Sequence, residues 1–477
     1  MIGSLCRGFS YASKCVSSRS ISSSTFHHAS DLTSGLILPS TGPLEQPQAK
    51  ASLEEHIRMK IMMRGGPISL AEYMADCLTS PHGGYYMNRD VFGTKGDFTT
   101  SPEISQLFGE MVGIWCLSTW MSMGSPKRLR LVEMGPGRGT LMADLLRGVS
   151  AFPQFTAAIE VHLVEVSPML RKIQFERLHC STSPSSPSPS SDGLIQDGQV
   201  RSMLASCSGR EGCPVYWHNS IDEVPSGSAL VEGGQVVPAL YIAHEFFDAL
   251  PAHQFVLDKE RGWLEVMVDA QEGKDAGGSG GGLRKVLSPS RTPASALLVP
   301  RRLRALSSPE TISALEISAK QMLTAETLAK RVSREGGAAV VIDYGNENGS
   351  LPYKDSLVAL RDHKEVDILD RPGSADLSVW VDFGALQQAA EEGDQGAQCH
   401  GPVSQRVFLE SLGIHTRLEQ LIRRASGPDS EEARGLRAGV ARLIGSGADG
   451  GMGDSYKVFS ITGQDSTLWK ELGLSKG

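Results

Sequence analysis

The chain has 477 residues, of which 40% are hydrophobic and 21% are charged, and its formal net charge is −8. These values are ordinary for a soluble globular protein, and the negative charge argues against a nucleic-acid-binding protein that depends on an overall positive field. No stretch reaches the roughly 18 uninterrupted apolar residues that a membrane span needs, so we expect no transmembrane segment.

The first thirty residues differ in composition from the rest. Arg7, Lys14 and Arg19 are embedded in serines, and no acidic residue precedes Asp31. A basic, serine-rich segment without acids is typical of an organelle transit peptide, so we predict a mitochondrial address over residues 1–30. A plastid address and a disordered tail are the alternatives.

Residues 31–128 have the pattern of a helical and loop region. Leu53–Arg64 is a predicted helix, and a second helix follows Ser69, with Glu72 completing a capping box. Residues 104–121 carry apolar side chains at helical spacing and predict a core helix. The preceding loop, 93–103, contains hydroxyl and acidic residues. Of these, we expect Asp97 and Thr100 to contribute to a polar lid over a ligand, with a solvated loop as the alternative.

From residue 129 to about 465, short apolar strands alternate with helices, which is typical of a parallel, doubly wound α/β sheet. The predicted strands are Leu129–Met134, 159–166, Ala239–His244, 338–343 and 458–462. A helical pair is predicted over 403–422. A Ser/Pro-rich stretch near 181–193 and a Gly-rich stretch near 271–300 predict disordered insertions.

The eight cysteines form no Cys-x-x-Cys pair, and no cysteine–histidine cluster has zinc-finger spacing. We therefore predict reduced thiols and no metal site. A disulfide framework or a metal centre is the alternative.

A glycine turn follows the first strand of the sheet, with the sequence EMGPGRG over residues 133–139. Gly135, Gly137 and Gly139 allow the backbone to approach a ligand closely, and the helix that follows offers its N–H groups. The spacing differs from the GxGxxG of a dinucleotide turn, which disfavours a dehydrogenase. S-adenosylmethionine fits better, with Glu133 near its positively charged end. A plain strand–helix connection is the remaining alternative.

Glu165 ends the next strand, where an acid can accept hydrogen bonds from ribose hydroxyls. Strand, turn, helix, strand and acid in this order predict an S-adenosylmethionine-dependent methyltransferase with a Rossmann-like α/β fold.

The strand at 239–244 runs directly into acidic and aromatic residues. Ligands of open α/β sheets lie outside the carboxyl ends of the strands, so His244, Glu245 and Asp248 should face the cofactor. Methyl transfer to a guanidinium needs carboxylates that hold the cation. We predict that role for Glu245 and Asp248, with His244 as a proton acceptor. The alternative is that both acids stabilise a helix N-terminus.

Three further acids allow either a functional or a structural role. Asp343 ends another predicted strand, and Asp376 and Asp382 lie close together in the sequence.

Several stretches resemble a known family, the mitochondrial complex I assembly-factor arginine methyltransferases, also called the MidA-like family. They include GDFTTSPEIS, LVEMGPGRGTLMADLL, YIAHEFFDALPAHQF and SADLSVWVDF, and they run in order over roughly residues 66–422. The resemblance implies a class I fold with helical additions, in the mitochondrial matrix. It also implies symmetric dimethylation of an arginine on a quinone-site core subunit of complex I.

By position, the resemblance assigns Gly135, Gly137 and Glu165 to the cofactor; Asp222 is our candidate for the adenine contact. An assembly chaperone without turnover and a small-molecule methyltransferase are the alternative functions.

Overall fold

The computed structural model describes residues 52–87, 100–182, 200–202, 212–226, 236–271, 282–346 and 355–463, together with Trp469, Leu472 and Leu474. The predicted transit peptide, Asp97 and most of the two predicted insertions lie outside these residues.

The described part of the chain contains helices of between one turn and about five turns. They are α1 (Leu53–Arg64), α2 (Leu70–Thr79), α3 (Ser101–Ile104), α4 (Gln106–Ser122), α5 (Thr140–Gly148), α6 (Pro153–Ala158), α7 (Pro168–Arg177), α8 (Pro293–Leu303), α9 (Ala319–Glu335), α10 (Phe383–Gly393), α11 (Gln405–Ser411), α12 (Ile414–Ile422) and α13 (Glu431–Ile444).

The strands form three sheets. They are β1 (Ile68–Ser69), β2 (Leu129–Met134), β3 (Ile159–Val164), β4 (Cys180–Thr182), β5 (Val200–Ser202), β6 (Cys213–His218), β7 (Ala239–His244), β8 (His253–Asp258), β9 (Gly262–Ala270), β10 (Leu283–Leu287), β11 (Ala314–Ile317), β12 (Gly337–Asn346), β13 (Val358–Arg361), β14 (Lys364–Val366), β15 (Asp376–Ser378), β16 (Val381–Asp382), β17 (Ala397–Ser404) and β18 (Tyr456–Gly463).

The main sheet has the order β17-β18-β12-β7-β2-β3-β6-β5-β4, with β16 paired to the end of β12. Its centre, from β12 to β6, is parallel, whereas β18 and β5 run antiparallel to their neighbours. The chain leaves β2 towards β3, and β7 lies on the other side of β2. The carboxyl ends of β2 and β7 therefore border a crevice, where open α/β sheets bind ligands.

Both faces of the main sheet are covered by helices. Alternate residues of β2 point to opposite faces, so Leu131 packs with α4 and α5 while Val132 packs with α9 and α10. Helix α4 is buried along almost its whole length, from Leu107 to Trp120. A helix buried on all sides belongs to the core, so the boundary that the sequence suggested at residue 128 does not separate two packed units.

The N-terminal helices pack on a second core, formed with the two smaller sheets. One sheet has the order β1-β9-β8-β11, with β10 also paired to β9, and the other has the order β14-β13-β15. Tyr73 and Met74 of α2 are buried there together with Val268 of β9 and Leu377 of β15. Neither small sheet was predicted from the sequence.

Most predicted elements are confirmed. Leu53–Arg64, Leu129–Met134 and Ala239–His244 have the predicted bounds, and Ser69 and Glu72 form the predicted capping box. Val403 belongs to β17 rather than to the helical pair, which begins at Gln405.

The predicted disorder over 271–300 is wrong for its larger part. Residues 283–287 form β10, which pairs with β9, and α8 begins at Pro293 behind a capping box on Thr292. The stretch 272–281, which includes most of the glycines, lies outside the described residues.

The five cysteines in the described part of the chain are not disulfide-bonded. Among the described residues, no helix is long and apolar enough to cross a membrane.

Candidate active site

A cavity of about 470 Å³ lies at the carboxyl ends of the parallel strands. It is lined by the ends of β2, β3, β6 and β7, and also by α2, α9 and the start of β15. The predicted residues that line it are Thr100, Gly135, Gly137, Glu165, Asp222, Glu245 and Asp248. Seven residues predicted from the sequence therefore lie around the same cavity.

The glycine turn forms part of the cavity wall. Gly135, Gly137 and Gly139 have φ values of 64°, 52° and 76°, which residues with a Cβ rarely adopt. A Cβ on Gly135 would lie 2.7 Å from Cδ2 of Phe246, so the β2 turn and the β7 turn touch at this point. Gly139 does not line the cavity; it is the N-cap of α5 and closes the turn.

Glu133 does not line the cavity, and its contact with the cofactor stays a prediction. Its side chain is only 3% exposed, and its Oε2 accepts no hydrogen bond from the described residues. Burial without a partner raises the pKa of Glu133 from 4.5 to about 8.

Glu165 is held at the cavity by its neighbours. Ser167 N donates to Oε1 at 2.8 Å, and Gln174 Nε2 donates to Oε2 at 3.2 Å and to the carbonyl of Gly137 at 2.7 Å. Gln174 in turn accepts a hydrogen bond from the indole of Trp217. The network ties the acid to the glycine turn. A carboxylate has further lone pairs, so Glu165 can still accept from hydroxyl groups of a ligand. Burial raises its pKa to about 7.

Asp222 lies just after β6, in a short 3-10 turn over Ile221–Glu223, and its side chain is exposed at the cavity edge. Arg171 donates to the carbonyl of Glu165 and to Asn219, and so joins this edge to the end of β3. Asp222, the predicted adenine contact, therefore lies at the edge of the cavity.

The acids after β7 do not stabilise a helix. Residues 245–252 form a turn that leads directly into β8, so the helix-terminus alternative for Glu245 and Asp248 is wrong. Glu245 itself has φ 46°, an unfavourable value for a residue with a side chain. Strained backbone of this kind persists where the surrounding structure holds it, and it clusters at functional sites.

Asp343 holds this turn from below. It is fully buried at the end of β12, and its Oδ2 accepts hydrogen bonds from the backbone N–H groups of Phe247 and Asp248, at 3.0 and 3.3 Å. Gln321 of α9 donates to the carbonyl of Phe247 at 2.8 Å. Of the two roles left open for Asp343, the contacts favour the structural one.

Three acidic residues, Glu245, Asp248 and Asp343, lie close together at this side of the cavity. Burial, followed by the nearby Glu245, raises the pKa of Asp248 to about 7, and burial together with Asp248 and Glu245 raises that of Asp343 well above its ordinary value. Asp248 Oδ1 is buried and accepts no hydrogen bond from the described residues. Among the described lining residues, Lys320 is the one basic side chain, and it is exposed.

His244 is buried at the end of β7 and does not line the cavity. Its Nε2 lies 3.1 Å from Oε1 of Glu245, without hydrogen-bond geometry, and its ring packs on Phe108. The histidine lies next to Glu245, and its role as a proton acceptor stays a prediction.

Thr100 and helix α3 connect the two halves of the site. Ser101 N donates to Oε1 of Glu245 at 3.3 Å, and Oε1 of Glu103 accepts from the hydroxyl of Thr140 at 2.7 Å. Thr140 is the first residue of α5, directly after the glycine turn. The described end of the predicted lid is therefore in contact with both the turn and the acid.

Asp376 and Asp382, which the sequence left undecided, have different surroundings. Asp376 lines the cavity. Asp382 forms a two-point ion pair with Arg302, at 2.8 and 2.9 Å, and caps α10 through the N–H of Ala385. Its role is structural.

Part of the cavity wall was not predicted from the sequence. Ala75, Leu78 and Thr79 of α2 and Tyr86 also line the cavity. The three α2 residues are spaced i, i+3 and i+4, which places them on one side of the helix, and Leu78 also packs in the second core with Tyr73 and Met74. That spacing was visible in the sequence, but nothing in it indicated that this side meets the sheet.

Comparison with known proteins adds independent evidence. Residues 111–403 match a family model described as "Putative S-adenosyl-L-methionine-dependent methyltransferase". A Drosophila melanogaster protein named mitochondrial protein arginine methyltransferase NDUFAF7 homolog is 41% identical over 408 residues, 84% of this chain and 85% of that protein. The human protein named protein arginine methyltransferase NDUFAF7, mitochondrial, is 39% identical over 380 residues, 78% of this chain and 76% of its own length.

The chain belongs to this methyltransferase family. The fold agrees: a crystal structure of a Burkholderia thailandensis protein bound to S-adenosyl-homocysteine superposes with a TM-score of 0.64 at 24% identity, over 88% of this chain and 95% of that chain. The predicted class I methyltransferase fold and the predicted cofactor, S-adenosylmethionine, are confirmed. The relatives' names also support the predicted mitochondrial destination.

The residues of the cavity fit that cofactor. The turn at Gly135 and Gly137 brings bare backbone to the wall, and Glu165 stands at the next strand end, as a ligand with an amino-acid moiety and a ribose requires. Met134, Val164 and Leu170 supply apolar surface between them. These residues would hold S-adenosylmethionine in this methyltransferase.

Proposed function

We propose that this methyltransferase modifies arginine residues of a protein, and that its substrate is a quinone-site core subunit of complex I in the mitochondrial matrix. The product is symmetric dimethylarginine, and the modification serves assembly of the complex. The relatives named as arginine methyltransferases support the arginine acceptor; the subunit, the symmetric product and the matrix follow from the family resemblance of the sequence.

One observation carries the arginine assignment. Glu245 and Asp248 line the cavity, and in the described part of the chain none of their hydrogen bonds comes from a lysine or an arginine. A carboxylate removed from water without a counter-charge is costly, and burial raises the pKa of Asp248 to about 7. An arginine side chain entering the cavity supplies the missing cation, and its planar guanidinium can donate to both acids.

When bound, S-adenosylmethionine supplies an electrophilic methyl group, which an acceptor nitrogen takes with its lone pair as the carbon–sulfur bond breaks. Glu245 and Asp248 accept N–H bonds from the guanidinium and so hold it in one orientation. Positioning of this kind provides much of the acceleration in an in-line displacement. The proton lost by the methylated nitrogen passes to one of these carboxylates.

The test uses purified protein, isotopically labelled S-adenosylmethionine and the purified complex I subunit, with the products mapped by mass spectrometry. We expect label on an arginine, as symmetric dimethylarginine. If the cofactor binds but no arginine gains label, the assembly-chaperone alternative is favoured. Label found only in an added quinone or lipid precursor would favour a small-molecule methyltransferase instead.

A further inference from the structure

Tyr86 and Asp376 reach the cavity from outside the main sheet. Tyr86 lies in the loop after α2, and Asp376 is the first residue of β15 in the three-stranded sheet. Both line the cavity, and Asp376 is only 8% exposed. The Tyr86 hydroxyl donates to Oδ1 of Asp376 at 2.7 Å, across 290 positions of sequence. The bond orients a carboxylate within the wall.

The two residues are close to the acid turn after β7. The N–H of Val379, one residue past β15, donates to the carbonyl of Asp248 at 2.9 Å. Burial, followed by the nearby Asp376 and Asp248, raises the pKa of Tyr86 well above its ordinary value. Asp376, Tyr86 and Asp248 therefore form one contiguous polar cluster on the cavity wall.

A guanidinium carries five N–H donors in a rigid planar fork. Glu245 and Asp248 lie three residues apart in one turn and approach it from one element, so they leave some of its donors for other parts of the wall. We propose that Asp376, held in position by Tyr86, is a third carboxylate that binds the cationic acceptor. This inference rests on the proposed arginine acceptor, and it assigns an acceptor-binding role to the three-stranded sheet.

A purely structural role would have different consequences. If the Tyr86–Asp376 bond served only to join the loop after α2 to β15, its loss would lower the free energy of unfolding and leave acceptor affinity unchanged. An acceptor-binding carboxylate instead changes the affinity for the cation at constant cofactor affinity. The two roles are therefore separable by binding measurements.

The decisive variant is Asp376→Asn, with Glu365→Gln as its matched control. Glu365 is an exposed acid on β14 of the same sheet, so the control loses one negative charge away from the cavity. The probe is a short blocked peptide with a single arginine, titrated by calorimetry into full-length protein saturated with S-adenosylhomocysteine. We expect Asp376→Asn to weaken peptide binding by about tenfold or more, as loss of a charged hydrogen bond does. Affinity for S-adenosylhomocysteine and the control's peptide affinity should be unchanged.

A second variant keeps the proposal testable if Asp376→Asn does not fold. Tyr86→Phe removes only the hydroxyl that orients Asp376, and we expect it to weaken peptide binding in the same direction but less. Unchanged peptide affinity in folded Asp376→Asn, or in Tyr86→Phe if only that variant folds, overturns the proposal, as does a wild-type protein that binds no arginine peptide. A wild type that binds the peptide but never methylates an arginine contradicts the proposed function instead, and the affinities of the variants then still decide the role of Asp376.

Discussion

Single residues with unusual backbone conformations bring the two halves of the site into contact. Gly135 and Glu245 both have positive φ values and follow the adjacent strands β2 and β7. Gly135 needs the absence of a Cβ because Phe246, the neighbour of Glu245, packs against it. This contact joins the glycine turn after β2 to the turn after β7.

Replacing Gly135 tests this contact. In Gly135→Val, the new side chain meets Phe246 and the backbone favours another conformation, so we expect affinity for S-adenosylhomocysteine to fall by more than about tenfold in calorimetric titration. Gly124→Val is the control, because Gly124 also has a positive φ, of 81°, but has open space around it. Undiminished affinity in Gly135→Val contradicts the assignment of the turn.

The buried Glu133 should make the free energy of unfolding depend on pH. Its pKa is about 8 in the folded protein and near 4.5 when unfolded, so the folded state binds the extra proton between these values. The stability that this proton confers is complete below pH 4.5 and is lost as the pH rises towards 8. We expect chemical denaturation to show a smaller loss of unfolding free energy from pH 5 to pH 8 in Glu133→Gln than in the wild type. Equal losses would show that Glu133 does not titrate in this range.

Among the elements, the short helix α3 joins the start of α5, directly after the glycine turn, to Glu245. Its Glu103 accepts a hydrogen bond from Thr140 at the start of α5, and its Ser101 donates to Glu245. If the hydrogen bond between Thr140 and Glu103 is lost, we expect α3 to become more mobile and the position of Glu245 to be less well defined.

Thr140→Val removes the hydroxyl and tests this connection. We expect the KM for the protein acceptor to rise a few-fold, as the loss of one hydrogen bond predicts, with a smaller change in cofactor affinity. Thr327→Val is the control, because its hydroxyl bonds to the carbonyl of Leu323 within α9. The KM of both variants is measured by steady-state kinetics. An unchanged KM in Thr140→Val would show that the bond between Thr140 and α3 does not help to position Glu245.

The elements that were predictable share a physical signal. β2 and β7 are fully buried, mainly apolar strands followed by Gly135 and Glu245, and their bounds were read directly from the sequence. β8 and β9 were not, because their exposed and buried residues do not alternate regularly. The residues at the ends of strands were predictable for the same reason, whereas Tyr86 and Asp376 depend on long-range packing that no local pattern encodes.

On the scale of the whole molecule, the active-site cavity lies between two cores. The main sheet supplies the cofactor turn and the paired acids, while α2 and β15 come from the core that holds the N-terminal helices. The small sheets are thus part of the site and not an appendage to it.

Because both cores line the cavity, we expect a bound ligand to stabilise elements of both. S-adenosylhomocysteine at about 100 times its Kd should stabilise the native state by about 2.7 kcal/mol. In hydrogen-exchange mass spectrometry, we expect slower exchange at the glycine turn and also in residues 75–79 of α2, which line the same cavity. Residues 431–444 of α13, which do not line it, serve as an internal control. Protection confined to the main sheet would show that α2 is not part of the site.

The most direct test of the account is turnover by Glu245→Gln. The amide keeps an oxygen for the N–H of Ser101 but loses the charge that holds the acceptor cation. With the complex I subunit and labelled S-adenosylmethionine, we expect single-turnover methyl transfer to fall by more than about a hundredfold. Calorimetric affinity for S-adenosylhomocysteine should be unchanged, and Glu260→Gln, on an exposed turn, should behave as wild type. Methyl transfer at the wild-type rate in Glu245→Gln would contradict the carboxylate-held acceptor on which the proposed function depends.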